Sequence, residues 1–146
     1  REPAAPARRP SPAGAQEGLT ALVIDEDRKV QESLLSLLSD RRYRVIVVAS
    51  AEEALDLAER TRFDLVLCDL RIGGVGGIEL YQRIRNRINC FVFLAADAFH
   101  TELRNRFSDQ DQAVLVKPFT AADVERLLEE IEPRLLSAHA RQPAEW

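Results

Sequence analysis

Three short apolar runs that each end abruptly in charge limit what this chain can fold into. Leu22-Val23-Ile24 runs into Asp25-Glu26-Asp27, Leu65-Val66-Leu67-Cys68 into Asp69, and Val114-Leu115-Val116 into Lys117-Pro118. Apolar runs this short, set between stretches of helical period, read as strands buried on both faces, which belong to a parallel sheet. The carboxyl ends of parallel strands share one edge, where ligands bind. Carboxylates and one lysine from distant parts of the chain are therefore expected in a single pocket.

The pattern alternates strand and helix five times. Strands are expected over residues 20–24, 44–49, 65–68, 90–94 and 113–116. The second begins slightly amphipathic, as suits a sheet edge. Helices are expected over residues 28–39, from Ser50 to about 60, over 77–87, briefly over 101–107, and from Thr120 onward. Asp27 reads as an N-cap, Ser50-Ala51-Glu52-Glu53 as a capping box, and Pro133 as a point where the last helix ends or kinks. Right-handed crossovers make the whole a doubly wound α/β sheet.

A chain of 146 residues with 46% hydrophobic content fits one domain with a real core. Its net charge of −4 argues against a nucleic-acid partner, and no apolar run approaches the roughly 18 residues of a membrane span. Cys68 closes one strand and Cys90 opens another, so they are expected at opposite sheet edges as free thiols of a cytoplasmic protein. The chain has no methionine, and four of its seven prolines crowd into the first twelve residues. Residues 1–18 therefore read as a linker with something joined upstream. His100 and His139 lie in polar surroundings and are expected to be exposed.

Asp25, Glu26 and Asp69 brought together would repel one another unless a cation joined them. A hard divalent ion such as Mg²⁺ suits, since it takes oxygen ligands and completes its shell with water and phosphate. Lys117 supplies a point positive charge suited to a phosphoryl group. Asp69 would then serve as a nucleophile, because carboxylates form aspartyl phosphates. The run Gly73-Gly74-Val75-Gly76-Gly77 gives the adjoining loop unusual backbone freedom. It lacks the Gly-Lys-Ser/Thr ending of a nucleotide-binding loop.

These residues resemble the receiver domain of two-component response regulators over about residues 20–132. The resemblance rests on Val23-Ile24-Asp25-Glu26, on Asp64-Leu65-Val66-Leu67-Cys68-Asp69, on Gly77-Ile78-Glu79-Leu80 and on Val116-Lys117-Pro118-Phe119. It implies a flavodoxin-like fold, five strands in order 2-1-3-4-5 with five helices, and a cis bond at Lys117-Pro118. It implies phosphorylation of Asp69 by a histidine kinase or phosphotransfer domain. It also implies Mg²⁺ on Asp25, Glu26, Asp69 and the backbone carbonyl of Arg71, with Lys117 on the phosphate. The chain divides accordingly into a linker (1–18), a receiver (19–138) and a tail (139–146), as at the end of a hybrid histidine kinase. A homodimer through the last helix and its neighbours is a further implication.

Two departures stand out. Ala95 falls where the family places a Ser or Thr hydroxyl against the phosphoryl group, and Val114 where an aromatic switch residue often sits. Gly73 and Gly76 also replace a usual proline and a usual loop aspartate. Two readings follow: a phosphoacceptor with an atypical switch, or a degenerate receiver working as a phosphorylation-independent interaction or dimerisation module.

Overall fold

The computed structural model describes residues 18–96 and 111–141. Five strands, β1 (Thr20–Ile24), β2 (Arg44–Val48), β3 (Phe63–Asp69), β4 (Ile88–Ala96) and β5 (Gln112–Lys117), form one sheet in the order β2-β1-β3-β4-β5. Every pairing is parallel. Among the described residues there are four α-helices: α1 (Arg28–Asp40), α2 (Ala51–Arg60), α3 (Gly77–Ile84) and α4 (Ala121–Ala140). The short helix expected over residues 101–107 and His100 lie outside the described residues. None of the four helices is long and apolar enough to cross a membrane.

Strand alternation builds two cores. Leu22, Ile24, Val66, Cys68, Phe91 and Phe93 face α2 and α3, where Ala51, Ala54 and Ala58 let α2 approach closely. Ala21, Val23, Leu65, Leu67, Val92 and Leu94 face Leu34 and Leu38 of α1 and Val124, Leu128, Ile131 and Leu135 of α4. Both cysteines are buried and free. Burial pushes the Cys90 thiol up to about 12 and holds Cys68 protonated as well. They are inert core groups, near opposite ends of the sheet as expected.

Three local expectations need correction. The third helix stops at Ile84 and tightens into a 3₁₀ turn over Arg85–Arg87. Arg87 there turns its side chain onto the Ala58 carbonyl (2.7 Å), capping the end of α2. The last helix runs through Pro133 to Ala140. Pro133 removes one backbone donor, but buried Leu135 and a polar anchor at His139 hold the turns that follow. His139 is therefore not simply exposed: it is 35% accessible, and its Nδ1 lies 3.1 Å from Oδ1 of fully buried Asp64.

Asp64 gathers the amino edge of the sheet. It accepts from the Thr20 backbone N–H (2.9 Å), the Thr20 hydroxyl (3.3 Å) and the Asn89 amide (3.1 Å). Two helical turns before His139, buried Glu132 accepts from Arg41 Nε (2.9 Å), Arg41 Nη2 (2.5 Å) and the Tyr43 hydroxyl (2.9 Å). These anchors fix α4 against β3 and the turn between α1 and β2, at the pole opposite the charged strand ends.

Candidate functional site

Parallel register places the charged strand ends together. Ile24 pairs with Cys68, Asp69 with Leu94, and Ala96 with Lys117, so Asp25, Asp69 and Lys117 all leave the sheet at its carboxyl edge. Asp25 is 1% exposed. Its Oδ1 accepts from the Asp27 backbone N–H (2.8 Å) and its Oδ2 from Lys117 Nζ (2.8 Å). Lys117 Nζ also lies 3.7 Å from Asp69 Oδ1. One ammonium thus bridges the two carboxylates that the sequence expected to meet.

Each group is held by local structure. Asp27 caps α1, accepting from the Lys29 N–H (2.9 Å), and so fixes the turn that carries Asp25 inward. Gln31, one turn into α1, donates its side-chain amide to the Asp25 carbonyl. Asp69 Oδ1 accepts from the Arg71 backbone N–H at 3.3 Å. Lys117 precedes Pro118 across a cis peptide bond. Burial alone would lower the lysine's pKa, but the hydrogen bond to Asp25 and the charges of Asp25, Asp69 and Asp27 outweigh it and raise the value. Lys117 therefore stays cationic throughout the physiological range.

The remaining expected positions divide. Glu26 is exposed, and its Oε2 stands 3.2 Å from where a Cβ on Gly73 would lie, over the glycine loop. Arg71 is exposed on the same loop. Ala95 is 2% exposed and pairs with Val116, adding a methyl group to the core beside the site. Val114 packs half-buried against the same core, where Tyr81 meets Phe91 and Phe93 edge-on at 5.3 and 5.7 Å between ring centroids.

Among the described residues, no three His, Cys, Asp or Glu side chains are grouped as for a metal ion, and Lys117 lies between Asp25 and Asp69. The donor chemistry nonetheless fits Mg²⁺, which commonly takes one or two carboxylates and fills its shell with water and phosphate. Two contacts at the site escaped sequence reading. The Gln31 amide carried no signal beyond its place in the first helix. Glu52, inside the capping-box segment but not its acid, turns its carboxylate against Gly74. Ser50 does cap α2, accepting from the Glu53 N–H (3.2 Å).

The model of the response regulator receiver domain family matches residues 21–132, and the chain belongs to that family. A response regulator receiver protein of Anaeromyxobacter sp. (strain Fw109-5) is 39% identical over 64 residues, covering 44% of this chain and 27% of that protein. The sensor histidine kinase AruS of Pseudomonas aeruginosa is 30% identical over 126 residues, covering 82% of this chain but 13% of the kinase. Among solved structures, the chemotaxis response regulator CheY4 of Vibrio cholerae shares the fold (TM-score 0.70, 21% identity, 77% of this chain and 98% of that chain). The receiver domain of a P. aeruginosa sensor histidine kinase, solved with magnesium coordinated in its active-site cleft, is 28% identical (TM-score 0.65, 77% and 96%). The chain is a two-component receiver with the flavodoxin-like strand order expected of it.

Proposed function

We propose that Asp69 is the phosphoacceptor of this receiver and takes its phosphoryl group from a phosphohistidine on a histidine kinase or phosphotransfer domain. A carboxylate oxygen of Asp69 attacks phosphorus. The O–P bond forms as the N–P bond breaks, and the imidazole leaves with its electron pair and takes up a proton. The observation that carries this reading is Lys117 Nζ, 2.8 Å from Asp25 Oδ2 and 3.7 Å from Asp69 Oδ1. It is a retained cation at the point where charge builds on the transferring group.

Asp25, Glu26, Asp69 and the Arg71 carbonyl are the proposed holders of Mg²⁺. When bound, the ion would neutralise charge on the phosphoryl oxygens. The magnesium in the P. aeruginosa kinase receiver supports this assignment by likeness. The similarity to AruS supports a parent of the hybrid-kinase type, in which this domain is an acceptor and the enzyme lies elsewhere. Switching is atypical in this account. A hydrogen bond to a charged group is worth roughly 1.5–3 kcal/mol, and Ala95 cannot make it. That loss matches a typical allosteric coupling of about 1–3 kcal/mol.

Intact-mass measurement after incubation with acetyl phosphate and Mg²⁺ tests the reading. The wild-type chain is expected to gain one phosphoryl group, and D69N none. A wild-type chain that gains nothing overturns the assignment.

A further inference from the structure

We infer that a phosphoryl group on Asp69 is read out through the loop of residues 71–76 and the amino end of α2, with β5 left in place. This rests on Asp69 being the phosphoacceptor and concerns where the resulting change goes. The loop hangs directly from Asp69. The Arg71 N–H reaches the Asp69 carboxylate (3.3 Å), and the Ile72 N–H reaches the Asp69 carbonyl (3.1 Å). Gly77 closes the loop so tightly that a Cβ there would lie 3.0 Å from the Asp69 carbonyl oxygen and 3.1 Å from Leu70 Cα.

On its outer side the loop meets two carboxylates. Glu26 Oε2 stands at Gly73, and the Glu52 carboxylate occupies the space a Cβ on Gly74 would need. Gly74 and Gly76 have φ of +82° and +89°, conformations that give the loop alternatives other residues lack. Phosphorylation replaces a charge of −1 by one of about −2 and adds oxygen acceptors. The Arg71 N–H gains a stronger acceptor, which draws the loop toward the phosphoryl group and past the Glu26 carboxylate at Gly73. Any reseating of residues 73–74 displaces Glu52, which belongs to the first turn of α2.

Among the described residues, the β4–β5 side has no matching relay: the Ala95 side chain carries no donor, and the aliphatic Val114 packs against the core that holds Phe91, Phe93 and Tyr81. The Tyr81 hydroxyl donates to Asp111 (3.0 Å to Oδ1) and accepts from Gln112 (2.7 Å), pinning the start of β5 to α3.

Amide NMR of the full chain, before and after beryllofluoride with Mg²⁺, tests this alongside the mass measurement. Shift changes at residues 71–77 and at Glu52 and Glu53 are expected to exceed those at residues 112–115 several-fold. The E52A variant should take up a phosphoryl group as wild type does, yet lose most of the response at the amino end of α2. Changes at residues 112–115 as large as those in the loop overturn the inference. So does a silent Glu52–Glu53 pair in wild type, or an E52A response equal to that of wild type. A chain that takes up no phosphoryl group and shows no shifts instead sinks the assignment of Asp69 itself.

Discussion

Replacing Lys117 by alanine is expected to slow phosphoryl uptake by roughly 10²–10³-fold, the usual cost of removing one charge-stabilising donor from a reaction centre. Lys117 bridges Asp25 and Asp69, so its loss exposes each carboxylate to the other and removes the ammonium from the incoming phosphoryl group. Stability falls too, because Asp25 is buried and loses its ion-pair partner. The cost should stay below the roughly 3–5 kcal/mol of a fully buried pair, since the Lys117 side chain is 26% exposed and water can take its place. K117R should not restore the rate: a planar guanidinium cannot occupy the position of a compact ammonium. Uptake rates followed by intact mass check this, and a K117A rate within a few-fold of wild type would contradict it.

The second large effect lies at the other pole. E132A is expected to cost about 3–5 kcal/mol, because it strands the Arg41 guanidinium and the Tyr43 hydroxyl inside the fold. Denaturant titration reads the loss, and a change below about 1 kcal/mol would place this network among interactions of surface strength. The network also sets an alkaline limit. Burial first, and the Glu132 charge second, push the Tyr43 pKa far above its ordinary 10. The unfolded chain loses that proton first, so the contribution is present below about pH 10 and is lost as pH rises. Cys68 and Cys90 act with the same sign, since their folded values are raised as well. Y43F should flatten the alkaline decline in part and leave the cysteine share.

Strand ends were legible because burial on both faces leaves a pure apolar run, and charge marks where it stops. Asp25, Asp69 and Lys117 could be assembled from that alone, since parallel register aligns carboxyl ends. The starts of β3 and β4 were hidden for the converse reason. Asp64 and Asn89 break the apolar pattern, yet both sit within strands and meet each other, at 3.1 Å. Their partners come from β1, β3, β4 and α4, and no local period reports such distant satisfaction. Pro133 does not end the last helix for the same reason: one lost donor is local, whereas Leu135 and His139 fasten the following turns from across the fold. Glu26 was read as a strand-end acid, and Glu52 only as part of the capping-box segment, whose acid is Glu53. Their approach to Gly73 and Gly74 depends on loop conformation that composition does not set.

The chemical identity of the modified residue distinguishes Asp69 from the carboxylates around it. Borohydride reduces an acyl phosphate at its carbonyl carbon, so an aspartyl phosphate becomes homoserine and peptide mass mapping locates it. After phosphorylation with acetyl phosphate and Mg²⁺, homoserine is expected at position 69 and unmodified aspartate at positions 25, 27 and 64. Homoserine at any of those three positions, or a phosphoryl mass that survives reduction with Asp69 intact, would contradict it.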